Sequence, residues 1–176
     1  MKKLKNIRVL TISAFLVAIA TVLGFFKIPL TELIEIRFQF LPIAAGGAMF
    51  GPAVGGIIGM LTDVLAYLVK PTGAFFPGFT ISSILSGIIY GAFFYKKKIT
   101  IPRIIVCQLT ETIICSLLIN SVNLSILYGN PITVVMATRL LKVLIMFPIN
   151  TVILTVVLKA IPRLMPSDMR ESFVKE

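Results

Sequence analysis

Two cations, Arg139 and Lys142, lie inside TVVMATRLLKVLIMFPINTVILTVVL, a stretch otherwise apolar enough to cross a membrane. A charged side chain at bilayer depth costs about 2.5–3.5 kcal/mol on insertion scales. Such charges face a protein interior or a water-filled cavity and meet a counter-charge there. The pair therefore reads as a site for something anionic. Asn120 and Asn123 share one helix face by their i, i+3 spacing, as do Arg139 and Lys142. Asp63 precedes Lys70 by seven residues. Counted back from the loops that follow or precede them, these five side chains fall at one depth, about 10–18 Å below the outer boundary at 1.5 Å per residue. A polar cluster at one depth, opening outward, is the form a substrate site near the bilayer midplane takes. The competing reading is internal neutralisation, with Asp63 or Glu111 paired to Arg139. Glu111 lies nearer the cytoplasmic side, which leaves two cations against one well-placed carboxylate.

A second group of residues sits at the outer ends of the helices. KPTGAFFPGFT (70–80) places Phe75, Phe76 and Phe79 beside two prolines and two glycines and ends on Thr80. RFQF (37–40) sets Arg37 beside Phe38 and Phe40. Exposed aromatics at this level either anchor at lipid headgroups or close over a flat ring and stack on it. An anionic ligand with a planar ring would use both groups.

Several chemistries are missing from the chain. It has no histidine, which removes the commonest general base and metal ligand. No G-x-x-x-x-G-K-[ST] phosphate loop occurs, so ATP hydrolysis by that route is excluded. HExxH, CxxC and GxSxG are absent as well. Cys107 and Cys115 lie in one apolar run and read as small packing residues.

The elements that must hold these side chains follow from composition and charge. The 176 residues are 57% hydrophobic and 14% charged, against about 25% charged in soluble domains. The net charge of +10 is not spread evenly. Lys2, Lys3, Lys5 and Arg8 precede the first apolar run, and Lys96, Lys97, Lys98 and Arg103 separate two others. Lys159, Arg163, Arg170 and Lys175 follow the last. Flanking basic clusters mark the cytoplasmic face of a membrane protein rather than a nucleic-acid surface. The expected fold is an all-α integral membrane domain over residues 1–176. It is a six-transmembrane-helix bundle with spans near 9–26, 38–51, 53–69, 79–95, 104–127 and 132–158. Both termini are then cytoplasmic, and 27–37 is an extracellular loop. The run 9–26 is longer than a signal-peptide core and reads as a retained first helix. Gly51, Gly55 and Gly59, then Gly87 and Gly91, recur at spacing four, the pattern for close helix approach in lipid. Ala14 and Ala18 form a similar small patch on the terminal helix, suited to internal packing or to a partner protein.

Four stretches carry a family resemblance: RFQFLPIAAGGAMFGPAVGGIIGMLTD (37–63), PTGAFFPGFTISSILSGIIYGAFFYKKK (71–98), NLSILYGNP (123–131) and TRLLKVLIMFPIN (138–150). The chain resembles the substrate-binding S components of energy-coupling factor (ECF) vitamin transporters, and specifically the folate type. That resemblance implies six helices, an outward-facing vitamin site and no cofactor of the chain's own. It implies partners that do the work: a transmembrane coupling subunit, docked on the Ala14-xxx-Ala18 motif, and two ATPases. It also implies that the component reorients in the membrane to release its vitamin. The chain departs from the folate type at NSVNLS, where a Thr-Leu-Trp-like sequence is common, and it has no tryptophan. Ring stacking then falls to phenylalanine or tyrosine. The expected ligand is folate, a pterin with a dicarboxylate glutamate tail. Arg139 and Lys142 would meet anionic or carbonyl groups, and Asn120 and Asn123 a heterocycle edge. Phe75, Phe76 and Phe38 would stack or close, Arg37 would meet the tail, and Asp63 would take the amino-pyrimidine edge. The rival readings are another aromatic anionic vitamin, a small membrane enzyme acting on an anionic lipid, and a structural protein.

Overall fold

In the computed structural model, residues 7–25, 27–31, 34–69, 76–129 and 131–164 are described. Helix α1 (Ile7–Phe25) is followed by a two-stranded antiparallel hairpin, β1 (Lys27–Thr31) and β2 (Ile34–Arg37). Then come α2 (Phe40–Phe50), α3 (Pro52–Val69) and α4 (Pro77–Phe94). The next rod has three parts: α5 (Ile101–Glu111), a π-helical segment (Thr112–Ile119) and α6 (Asn120–Tyr128). The last helix, α7, runs from Ile132 to Leu164. Five stretches are long and apolar enough to cross a membrane: Ile7–Phe25, Pro52–Val69, Pro77–Phe94, Ile101–Leu127 and Ile132–Ile161. The shorter apolar helix Phe40–Phe50 accompanies them. The chain is a multi-pass membrane protein.

Local chemistry sets most of the boundaries. Gly51, at φ +98°, ends α2, its N–H bonding the Gly47 carbonyl at 2.9 Å. Pro52 then opens α3 at a position that has no use for a backbone donor. Pro77 opens α4 in the same way, two residues earlier than turn composition alone places it. The C-terminus of α4 is capped by Lys97, whose Nζ donates to the Ala92 carbonyl at 3.0 Å. Gly129, left-handed at φ +68°, stops α6.

The segment 27–37, expected as a plain loop, pairs with itself. Lys27 faces Arg37, Ile28 faces Ile36 and Pro29 faces Glu35, with an irregularity between Pro29 and Thr31. Alternating apolar and charged residues satisfy the backbone in a hairpin at a level where the charge forbids a span. The rod runs over 101–128 where one α-helix near 104–127 was expected, and it is interrupted by the π segment. Helix α7 exceeds its expected length: 33 residues reach about 50 Å, more than the roughly 30 Å hydrocarbon core.

The tightest packing joins α2, α3 and α4 through glycine. A Cβ on Gly47 would lie 2.9 Å from the Gly91 nitrogen and 3.0 Å from the Gly87 carbonyl oxygen. One on Gly55 would lie 2.8 Å from the Gly47 Cα. The backbones therefore touch, as small residues permit in lipid. Ala44, Ala48, Ile58, Tyr90, Phe94, Leu154 and Leu158 fill the interior around this seam. Large apolar side chains of α5, the π segment and α7, among them Leu109, Ile113, Leu141, Leu144 and Val156, are exposed and face the position of lipid.

Candidate functional site

The first turn of α4 is the organising point. Thr80 Oγ1 donates to Asp63 Oδ2 at 2.7 Å, a charge-assisted bond linking α4 to α3. The glycine seam below holds these helices close enough for so short a connection. Phe76, just before α4, and Phe79 within it meet edge to face, with ring centroids 6.0 Å apart at 70°. Gly78 lies directly against the Asn123 side chain, since a Cβ there would overlap the Asn123 amide. One helix end thus gathers Asp63, Thr80, Phe76, Phe79 and Asn123 from three parts of the chain.

The polar groups in this region are not fully satisfied within the protein. Asn123 is 6% exposed, and its Nδ2 has no hydrogen-bond partner. Asn120 Oδ1 is buried in the same condition. The hydroxyls of Thr62, next to Asp63, and of Ser121, next to Asn120, are buried without partners too. Buried polar atoms are normally paired, so the orphaned amides of Asn120 and Asn123 make this end of α6 a candidate to receive a polar group, although Ser13 Oγ on α1 is orphaned as well.

Arg139 reaches the same rod from α7. The half-buried guanidinium donates through Nη1 to the Ser116 carbonyl at 2.7 Å, one turn before Asn120. Lys142, one turn further along α7, is also half-buried. Glu111 does not pair with Arg139: its Oε1 accepts from Ser86 Oγ at 3.0 Å, on the α4 side of the rod. That bond belongs to a ladder in which Ser82, Ser86 and Tyr90 of α4 meet the Cys115 carbonyl, Glu111 and Gln108. The three rungs repeat at i, i+4, i+8, a spacing visible in the sequence as polar residues recurring along α4. The Ser116 carbonyl has no such signal, because a backbone group becomes a ligand only through local geometry.

Phe38, just after β2, is half-buried and packs against the core. Arg37 ends β2, and its side chain lies outside the described residues, as does Phe75 altogether. Ala14 and Ala18 sit apart from the site, exposed on the outer face of α1. The buried face of α1 is instead Val9, Ser13, Val17, Ala20 and Thr21. Cys107 and Cys115 are buried free thiols within the bundle. Among the described residues no three His, Cys, Asp or Glu side chains group as metal ligands. The site offers carboxylate, amide, hydroxyl, guanidinium and ring faces, a set for recognition rather than bond breaking.

Residues 8–158 match the family described as ECF transporter, substrate-specific component. A curated relative, the folate transporter FolT of Clostridium novyi (strain NT), is 38% identical over 161 residues, 92% of this chain and 94% of that protein. FolT of Leuconostoc mesenteroides is 30% identical and covers 68% of each chain. Among solved structures, FolT bound with folic acid superposes with a TM-score of 0.76 at 34% identity, over 82% of this chain and 89% of that one. The S component for biotin from an ECF-type ABC transporter gives a TM-score of 0.68 at 21% identity, over 93% and 94%, a likeness of fold. These members recognise substrate for a transporter, and the enzyme reading gives way to that role, with ATP hydrolysis in partner subunits. From the matched helices and their glycine seam to the polar end of α4, the chain belongs to the family of substrate-specific components of ECF transporters.

Proposed function

We propose that this chain captures folate from outside the cell and delivers it through an ECF module of one transmembrane coupling subunit and two ATPases. The observation that carries the reading is the set of unsatisfied amides at Asn120 and Asn123, flanked by the Asp63–Thr80 pair and by the cations of α7. A pterin edge alternates hydrogen-bond donors and acceptors, which suits amides and a carboxylate. A glutamate tail carries two carboxylates, which suit Arg139, Lys142 and Arg37. Phe76, Phe38 and Phe75 supply ring faces in a chain without tryptophan. The likeness to folate transporters over nearly the whole chain points the same way. In this reading Phe40–Phe50 completes a six-span bundle, residues 1–176 form one membrane unit, and both termini are cytoplasmic. The exposed Ala14 and Ala18 dock on the coupling subunit.

Calorimetric titration of the purified protein in detergent tests the assignment. Folic acid is expected to bind at micromolar concentration or tighter, and riboflavin and thiamine are expected to give no heat. Absence of folic acid binding under those conditions overturns it.

A further inference from the structure

The π segment has a consequence for Arg139. In an α-helix the Asn120 N–H would bond the carbonyl four residues back, at Ser116. Here it bonds Cys115, five residues back. The Ser116 carbonyl has therefore given up its α-helical donor, and it accepts the Arg139 guanidinium at 2.7 Å instead. The Cys115 carbonyl, next to it, also receives Ser82 Oγ from α4 at 3.5 Å. The segment is thus tied on one side to α4 and on the other to α7. Single-turn π insertions concentrate at functional sites because they redirect groups that a regular helix would consume.

We propose that the π-helical segment Thr112–Ile119 is the positioning element for Arg139, its Ser116 carbonyl fixing the plane of the guanidinium that meets the ligand's anionic group. The inference rests on the folate reading only for the identity of that anion. A guanidinium is a rigid planar fork of five N–H donors, so one short bond to a fixed carbonyl orients the whole group. A freely rotating cation at the same place would have to lose that freedom on binding. The register shift also sets where the rod resumes, at Asn120, so Arg139 and the two asparagines are placed by one irregularity. Specificity for an anionic tail follows from orientation as well as charge. A lysine at 139 keeps the charge and loses the fork.

Two variants and two readouts test this. Arg139→Met removes the donor and leaves an unbranched side chain in its place, and Arg139→Lys keeps the charge. Without ligand, hydrogen exchange of the 112–119 amides should rise about tenfold or more in Arg139→Met relative to the unsubstituted protein. Arg139→Lys should bind folic acid about ten- to hundredfold more weakly, while binding of 6-hydroxymethylpterin, which has no carboxylate tail, stays unchanged. A purely structural arginine would weaken both ligands alike, and that result overturns the proposal. Unaltered exchange across 112–119 in Arg139→Met overturns it too. If the unsubstituted protein ignores folic acid but the exchange effect persists, positioning of Arg139 is upheld and the folate assignment falls.

Discussion

At Asn123 the protein holds an amide where a hydrocarbon would cost less. Its Nδ2 is buried without a partner, at an expense of about 1–3 kcal/mol to the ligand-free state. Asn123→Leu removes that expense at nearly constant volume. The ligand-free variant should therefore melt at the same or a higher temperature in detergent, while folic acid affinity drops about tenfold or more. Lower stability together with retained affinity would show the amide to be structural. Thr80→Val tests the neighbouring bond. It keeps the branched shape and takes one donor from the Asp63 carboxylate, so stability should fall by about 1–3 kcal/mol, read as a lower melting temperature. Side chains at this scale were legible where type and depth coincide. Asp63, Asn120, Asn123, Arg139 and Lys142 stand out because polarity inside an apolar run is costly. Their partners were not legible. Glu111 could be assigned to Arg139 or not by depth, but its actual donor, Ser86, depends on how α4 and α5 are rotated about their axes. Periodicity leaves that rotation open when helices are apolar on nearly every face.

Between elements, the glycine seam does the work that hydrophobic burial does in water. Lipid is as apolar as leucine, so helix association here depends on backbone contact and interhelical hydrogen bonds. Gly87 lies so close to the Gly55 backbone that an added methyl overlaps it. Gly87→Ala should push α3 from α4, costing about 1–3 kcal/mol and loosening the Asp63–Thr80 bond above the contact. The check is thermal unfolding in detergent with and without folic acid, where both stability and the ligand-induced rise in melting temperature should shrink. A variant matching the unsubstituted protein in both would mean the helices can part without consequence. The seam was readable because spacing four is a one-dimensional signal. The π segment was not, since TIICSLLI is an ordinary apolar sequence and its register shift shows only in which carbonyls Asn120, Arg139 and Ser82 reach. The hairpin 27–37 was half readable: its charge excluded a span, but the strand pairing within the expected loop was not foreseen.

Taken whole, the molecule separates three surfaces: a polar end inside the bundle, a lipid-facing belt on α5 and α7, and the outer face of α1. Ala14 and Ala18 lie on that outer face, and their small size lets another helix approach closely. Ala14→Trp adds bulk at an exposed position, so folic acid affinity and melting temperature should stay unchanged while co-purification with the coupling subunit is lost. A tryptophan variant that still assembles would move the docking surface elsewhere. The proposed membrane orientation draws on the same division. Lys96, Lys97, Lys98 and Lys159 lie at one end of α4, α5 and α7, whereas Asp63, Thr80 and Asn123 lie toward the other. Lysine and arginine in short loops are retained on the cytoplasmic side during insertion, so in the proposed topology the polar end opens outward. In a Cys107→Ala, Cys115→Ala background, Pro131→Cys marks the turn between α6 and α7, and Lys97→Cys marks the basic turn after α4. A membrane-impermeant maleimide applied to intact cells should label the first and spare the second until the cells are opened. The reverse pattern would turn the site toward the cytoplasm, where a capture subunit has no substrate to collect, and would require the three basic clusters to have crossed the membrane against their charge.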